Sequence, residues 1–161
     1  MRGRGTHAHV ASLLQATNTL GGYEMSLICT EQGLAVSVAG HGLDSDELAA
    51  FTSLFDNIVQ RARRDLGFKA VDELTLLDPG RGRFVIRPLV FGESTTMFLV
   101  VQMDPKRTWR RYTNQLATEL MKVMAPLAEQ ITEQNEAAAL ADAASQGARA
   151  DGADPLTEES P

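Results

Sequence analysis

Residues 96–103, Thr-Met-Phe-Leu-Val-Val-Gln-Met, are the segment that most constrains the fold. Successive side chains of a strand point to opposite faces, and both faces of this segment are apolar. One face carries Phe98 and Val100, and the other carries Met97, Leu99, Val101 and Met103. A strand that is apolar on both faces is typical of the middle of a sheet covered on both sides. We therefore predict a central strand here, with helices on both faces of its sheet.

Two strands are predicted before the central one, over residues 73–78 and 83–90, joined by the turn Pro79-Gly80-Arg81-Gly82. Proline cannot donate a hydrogen bond to a strand ladder, so Pro88 needs a place where none is required. If Asp78 pairs with Arg83, Pro88 falls opposite Glu73, at the end of the shorter strand. The missing N–H group then costs little.

The first half of the chain shows alternating patterns and one strong helical pattern. Residues 23–30 and 34–39 alternate around a short turn that ends in Gly33, which predicts a β-hairpin. Residues 44–66 are predicted to form one amphipathic helix, which Asp44 and Glu47 begin and Gly67 ends. Its predicted buried stripe consists of Leu48, Phe51, Phe55, Ile58, Ala62 and Leu66.

Two terminal helices complete the pattern. The first is predicted over Val10 to Thr19, with Gly21-Gly22 as its end. The last begins near Pro105 or Thr108 and is expected to kink or end at Pro126. The predicted order is α-β-β-α-β-β-β-α, which is an α+β fold.

Charge divides the 161-residue chain unevenly. Residues 131–161 hold seven acids against Arg149 alone, so the whole net charge of −6 lies there. We predict a flexible N-terminus over 1–9, one domain over 10–130, and an acidic, alanine-rich, largely disordered tail over 131–161. No apolar run approaches the ~18–20 residues of a membrane span, and no apolar stretch follows the basic start, so we expect a cytoplasmic protein.

The search for catalytic, metal and cofactor sites predicts none. The segment Gly40-His41-Gly42 lies between a strand and a helix, but Ser45 stands where a dinucleotide motif has its third glycine. Cys29 falls on the apolar face of its strand and is interpreted as a buried core thiol. His7 and His9 lack a third metal ligand nearby. A neutral domain also gives no reason to expect nucleic acid as a partner.

The cluster Lys106-Arg107-Thr108-Trp109-Arg110-Arg111 leaves two interpretations open. Four cations at a helix N-terminus oppose the helix dipole. They form either a solvated turn paired with nearby acids such as Asp104, which we favour, or a site for an anion or a partner. Trp109 lies on the apolar stripe and is expected to be part of the core.

The order of elements resembles the Roadblock / dynein light chain domain family. The similarity lies in Gln32-Gly33-Leu34-Ala35-Val36 on the first hairpin, Asp46-Glu47-Leu48-Ala49-Ala50 at the start of the middle helix, and the strands Arg83-Phe84-Val85-Ile86-Arg87-Pro88-Leu89 and Met97-Phe98-Leu99-Val100-Val101. It covers about Val10 to Leu127. Bacterial members of the MglB type, which partner Ras-like polarity GTPases, are similar in size and also carry a tail.

The resemblance implies a five-stranded antiparallel sheet ordered 2-1-5-4-3, with the middle helix on one face and the terminal helices on the other. It also implies a non-catalytic homodimer, joined through the third strand and the middle helix, that docks a Ras-like small GTPase. The dimer interface would include Leu54, Thr75 and Leu77. The surface for the partner would include Ser53, Asn57, Gln60, Arg61 and Arg64.

Two alternatives stay open at this stage. The chain is either a subunit that pairs with another Roadblock protein and touches no GTPase, or a small-ligand sensor. A sensor would need a pocket lined by residues such as Phe84, Phe98 and Trp109.

Overall fold

Five antiparallel strands form one sheet at the centre of the molecule, in the order β2-β1-β5-β4-β3. The computed structural model describes residues 2–92 and 95–150 of the chain, without the side chains of 2–4, 131, 135 and 146–150. The strands are β1 (Met25–Thr30), β2 (Ala35–Gly40), β3 (Leu74–Asp78), β4 (Gly82–Phe91) and β5 (Thr95–Met103). The predicted strand order and the central position of β5 are confirmed.

Four helices flank the sheet: α1 (Arg2–Gly21), α2 (Ser45–Thr52), α3 (Leu54–Leu66) and α4 (Arg110–Ala150). Helices α1 and α4 pack on one face, where Val10, Leu14 and Leu120 share a buried cluster with Leu99 and other strand residues. Helices α2 and α3 lie on the opposite face with Leu48 and Phe55, against the strand residues Leu27, Ile86 and Phe98. The predicted separation of the helices between the two faces is therefore confirmed.

The middle helix is two helices rather than the single one predicted over 44–66. The Asp44 carboxylate caps α2 as predicted, accepting hydrogen bonds from the N–H groups of Asp46 and Glu47 at 3.0 and 2.9 Å. The chain then turns at Ser53, which ends α2 and precedes α3. The buried stripe nevertheless continues across both helices, because Ser53 keeps helical dihedral angles, and it is rotated to one side of the predicted stripe. Its members follow one another at spacings of three and four: Leu48, Thr52, Phe55 and Val59.

The stripe prediction is accordingly wrong for half of its members. Leu48 and Phe55 are buried as expected and Ala62 is partly buried, whereas Phe51, Ile58 and Leu66 are exposed. In α3 the buried residues are Phe55 and Val59, and the second half of the helix projects beyond the core. The helix ends at Gly67, whose φ of 70° is in the left-handed region that glycine adopts at little cost.

The hairpin of β3 and β4 is one residue out of the predicted register. Asp78 pairs with Gly82 instead of Arg83, and Leu74 with Ile86 is the last pair of the two strands. The short loop of Pro79, Gly80 and Arg81 allows this because the Asp78 carboxylate accepts hydrogen bonds from the Gly80 and Arg81 N–H groups. Pro88 therefore lies beyond the end of β3.

Backbone hydrogen bonds show which way Pro88 points. The Thr30 N–H group donates to the Leu34 carbonyl. The backbone N–H and carbonyl groups of the even-numbered residues of β1 therefore point to β2, and those of the odd-numbered residues point to β5. The pairing of residues between neighbouring strands then gives the direction of the backbone groups in β5 and β4. Cys29 pairs with Phe98, and Leu99 pairs with Arg87, so the backbone of Arg87 faces β5 and that of Pro88 faces away from it. The nitrogen of Pro88 is directed to the open edge, where no ladder bond is lost.

Both terminal helices are longer than predicted. Helix α1 begins at Arg2, eight residues before Val10, and α4 continues through Pro126 to Ala150. Pro126 therefore does not end the helix. Residues 2–9 and 131–150, predicted as a flexible terminus and the start of a disordered tail, are helical here, and residues 151–161 lie outside the described chain. The division into a domain and a tail stays a prediction.

Candidate protein-binding surface

Large apolar side chains are exposed along α2, α3 and β3, on the sheet face that these helices cover. We call this set the apolar surface; its members are Phe51, Leu54, Ile58, Leu66 and Leu76. Leu54 is 57% exposed, Ile58 48% and Leu66 69%. Phe68, just after α3, is also half-exposed. Several large apolar side chains exposed on one side of a molecule typically mark a binding site.

The direction of the buried stripe explains why this surface exists. Only Phe55 and Val59 of α3 reach the core, so Leu54 and Ile58, one position before each, point away from it. Phe51, in the last turn of α2, packs edge-on against Phe55 with ring centroids 5.4 Å apart, and its other side stays open. The sequence did predict Leu54 outside the buried stripe, but it placed Ile58 and Leu66 within it.

Strand β3 is one edge of the sheet and pairs with β4 alone. Its side chains divide between the two faces. Leu74 packs with the α2 and α3 cluster, so Leu76, two residues on, lies on the same face. Thr75 and Leu77 lie on the other face, since their partners Val85 and Arg83 point towards α1 and α4.

The three residues predicted for a dimer interface are therefore not brought to one face. Leu54 is on α3, whereas Thr75 and Leu77 are on the opposite side of the sheet. The alternation of side chains along β3 explains this. The side chains of residues 74 and 76 point to the face covered by α2 and α3, and those of residues 75 and 77 point to the other face. Leu76, which sequence reasoning missed, is the β3 residue that accompanies Leu54. The alternation of the strand itself was the signal that could have identified it.

The polar residues predicted to contact a partner follow one side of α3. The side chains of Asn57, Gln60, Arg61 and Arg64 are exposed. Gln60 Nε2 lies 3.4 Å from Asp56 Oδ1, and Asp65 accepts from Arg61 Nε at 3.2 Å and from Arg64 Nε at 2.9 Å. Two guanidinium groups thus share one carboxylate, which leaves a net positive charge at the end of the helix.

Ser53 belongs to the turn rather than to the exposed row. Its hydroxyl donates to the Ala50 carbonyl at 2.7 Å, and the residue is only partly exposed. The hydroxyl is thus already engaged within the chain. We assign Ser53 a structural role at the junction of α2 and α3.

A shallow groove lies on α3 between the apolar and the charged residues. Its volume is about 310 Å³, and it is lined by Ile58, Arg61, Ala62, Asp65 and Leu66. An apolar floor with an ion pair at its rim suits an apolar anchor residue of another protein. The geometry offers no buried polar side chain among the lining residues that would select a small ligand.

A polar network fixes the start of β3 to the α4 side of the sheet. Arg87, buried at 9% exposure, donates to Asp72 Oδ1 at 2.9 Å and also to the Asn114 side chain. Trp109 Nε1 donates to Glu73 Oε2 at 2.9 Å, and the Arg83 guanidinium lies 4.1 Å from the Trp109 ring centroid. These contacts hold the residues that lead into the edge strand.

The structure also tests the two interpretations of the basic cluster at the start of α4. Trp109 is partly buried against the core, as predicted. The Asp104 carboxylate accepts from the backbone N–H group of Lys106 at 2.8 Å. Within the described chain, no ion pair joins it to the side chains of residues 106–111. The cluster is therefore largely exposed and cationic, and none of the described acids forms the ion pair with it that the sequence suggested.

Cys29 is fully buried, as predicted, with its Sγ atom 3.9 Å from the Phe98 carbonyl oxygen. Burial raises the pKa of this thiol to about 12, so it carries no thiolate at neutral pH. The pKa of Tyr23 is also raised to about 12, first by burial and then by Tyr112. Neither group is available for acid, base or nucleophilic chemistry near pH 7.

The pocket required by the ligand-sensor alternative is not formed by the predicted residues. Phe84 and Phe98 belong to the cluster under α2 and α3, whereas Trp109 packs on the opposite face of the sheet. Phe98 is fully buried. In the described parts of the chain, no three His, Cys, Asp or Glu side chains are grouped as metal ligands. Across those same residues, every helix is too short or too polar to cross a membrane.

Comparison with known proteins gives structural matches only. No protein-family model and no curated protein sequence matches the chain. Among solved structures, Myxococcus xanthus MglB superposes with a TM-score of 0.65 at 15% identity, over 75% of this chain and 91% of that one. The gliding protein MglB of Thermus thermophilus superposes with a TM-score of 0.60 at 16% identity, over 78% and 92%.

A third structure places these matches in a wider group. The Roadblock/LC7 domain of Streptomyces avermitilis superposes with a TM-score of 0.51 at 14% identity, over 76% of this chain and 97% of that one. The helix order and strand order described above are thus shared with proteins of very different sequence. The chain has a Roadblock-type fold of the MglB-like kind.

Proposed function

We propose that this protein is a homodimeric adaptor or regulator that binds a Ras-like small GTPase and has no active site of its own. The observation that carries the proposal is the apolar surface of α2, α3 and β3, which lies beside a strand edge with no partner. The fold matches add support, because the Roadblock resemblance implies this kind of assembly.

The dimer is proposed to form along β3. A second copy of β3 added antiparallel would satisfy the unpaired backbone groups of this edge, in a two-fold symmetric contact. It would also bring Leu54 and Leu76 of both copies towards the symmetry axis. Burying a leucine side chain contributes about 1.5–3 kcal/mol, so four of them are enough to matter for a small interface.

The GTPase is proposed to dock on the rest of α3. Ile58 and Leu66 would supply the apolar part of the contact, with Arg61 and Arg64 at its edge. The two guanidinium groups share only Asp65, so their remaining positive charge would favour an acidic surface on the partner.

Light scattering after size exclusion, at low micromolar concentration, tests the dimer. A mass near twice 17.4 kDa is expected, and a stable monomer would contradict the proposal. The same measurement after addition of a second Roadblock protein tests the heterodimer alternative. A homodimer keeps its mass, whereas in the alternative a mixed complex replaces the homodimer.

Pull-down with small GTPases, in the GDP and GTP-analogue states, tests the partner. The variant Arg61→Glu/Arg64→Glu should weaken binding and leave the dimer intact. The variant Arg63→Glu is a control for a charge reversal on another side of the same helix. If the double variant and the control bind alike, these residues are not part of the site.

A further inference from the structure

A second groove lies on the opposite side of the molecule from the apolar surface, between the end of β4 and α4. Its volume is about 480 Å³. The strand side is formed by Val90, Phe91 and Gly92, and the helix side by Met121, Ala125, Ala128, Glu129, Thr132 and Glu133. The floor is apolar, and among the described lining residues the charged side chains are the two carboxylates. None of these residues is part of the proposed dimer or GTPase contacts.

The groove exists because β3 is shorter than β4. Pairing of the two strands stops at Leu74 with Ile86, so the second half of β4 has a neighbour on the β5 side only. The alternation described for Pro88 applies to Val90 as well, whose N–H and carbonyl groups face the open edge. In the described chain, no backbone hydrogen bond from outside the strands reaches Val90, and its side chain is 49% exposed.

The open edge and the groove run together along the strand. The side chain of Phe91 points towards α4, like those of Val85 and Leu89, while that of Val90 points to the other face. A segment placed beside this half of β4 would therefore direct alternate side chains into the groove. The remaining side chains would lie over Val90.

The charge at the rim of the groove indicates which side chains such a segment would carry. Glu129 and Glu133 are one helical turn apart and both are exposed, so their carboxylates line the same rim. The salt bridges of the described chain include neither of them. An apolar floor under two free carboxylates is complementary to a side chain that is apolar along its length and cationic at its tip, as in lysine or arginine.

We propose that this groove binds an extended segment of a partner protein in which basic and apolar residues alternate, added as a short strand beside the open half of β4. Strand addition of this kind takes affinity from backbone hydrogen bonds and specificity from alternate side-chain sites. Pro88 has no N–H group to donate, so the available backbone bonds are those of Val90 and the Pro88 carbonyl.

The test uses the full chain and a synthetic peptide of alternating arginine and valine, six residues long and blocked at both ends. Calorimetry should detect binding, and a peptide with glutamate in place of arginine should not bind. The variant Glu129→Gln/Glu133→Gln should weaken binding of the basic peptide about fivefold, as expected for two exposed ion pairs. The control variant Glu136→Gln/Asp142→Asn removes the same charge further along α4, at two exposed positions that do not line this groove.

Two further measurements separate the groove from general attraction to an acidic chain. Ala125→Trp fills the groove at a partly exposed helix position without altering charge, and it should abolish binding. Hydrogen exchange of the Val90 amide should slow when the peptide is bound. Equal affinities of the two charge variants, or unchanged exchange at Val90, would overturn the proposal. Oligomers that depend on Glu129 and Glu133 without peptide binding would assign the groove to a second copy and also overturn it.

Discussion

The two faces of the sheet are covered in different ways. On one face, α1 and the first half of α4 bury a continuous cluster that includes Leu14, Leu120 and Met124. On the other, α2 and α3 bury a smaller cluster and leave Leu54, Ile58 and Leu66 in solvent. Apolar side chains occur in both sets of helices, so composition alone does not distinguish them. The difference indicates that one face is fully used for the core, whereas the other keeps exposed apolar side chains on which the proposed binding rests.

The largest effect should come from the well-covered face. Leu120→Ala removes a fully buried side chain and should lower the free energy of unfolding by about 2–5 kcal/mol, because a cavity is left in a packed core. Urea denaturation measures it. Leu66→Ala is the matched change on the other face, and at dilute concentration it should cost under about 0.5 kcal/mol. Similar losses for both variants would remove the distinction between the faces.

The next effect should appear only in association. Leu76→Glu places a charge on the apolar surface at the β3 edge and should raise the dimer dissociation constant at least tenfold, or about 1.4 kcal/mol. Analytical ultracentrifugation measures this change. Leu77→Glu is the control, on the same strand but on the opposite face of the sheet. A stronger effect of Leu77→Glu would place the dimer contact on the α4 side and contradict the assignment of Leu76.

A smaller effect should come from the network that fixes the start of β3. Asp72→Ala leaves the nearly buried Arg87 without its carboxylate partner and should lower the unfolding free energy by about 1 kcal/mol. The cost is limited because Asp72 itself is largely exposed. Asp65→Ala breaks the exposed pairs on α3 and should cost less, within the few tenths typical of surface pairs. Chemical denaturation of both variants compares them directly.

The last effect is zero at neutral pH, which makes it the smallest under ordinary conditions, and it concerns the core thiol. The Cys29 pKa is raised to about 12, so the folded state retains its proton at a pH where the unfolded state, with a pKa near 9, loses it. Stability is therefore complete below about pH 9 and decreases as pH rises towards 12. Tyr23, with its pKa also raised to about 12, adds to the decrease above pH 10. Denaturation at pH 8 and pH 10.5 should show the decrease, and Cys29→Ala should reduce it.

Much of the fold could be predicted from the sequence, because long-range burial leaves a clear periodic pattern. The apolar residues on both faces of β5 determined its central position, and the alternation over residues 23–30 and 34–39 predicted the hairpin of β1 and β2. The register of β3 was missed by one residue, since it depends on how the Asp78 side chain organises the turn. No hydrophobic pattern encodes that choice.

The binding surface was harder to predict than the fold. The apolar positions of residues 44–66 fit a stripe that includes Ile58 and Leu66, but the stripe that is buried lies to one side of it, through Thr52, Phe55 and Val59. The groove beside α4 was missed entirely. It arises from the difference in length between β3 and β4, and that difference is visible only once the strands are paired.

The extent of α4 has a consequence for how the molecule unfolds. Its 41 residues include Pro126, whose ring removes one hydrogen bond from the middle of the helix, and beyond Glu133 every described side chain is exposed. The described side chains of the distal segment are therefore not buried against the rest of the fold, and its alanine-rich composition has to supply most of its helical stability. On warming, it should fray from the C-terminal end well before the core melts. Far-ultraviolet circular dichroism would then decline gradually ahead of a single sharp transition in tryptophan fluorescence.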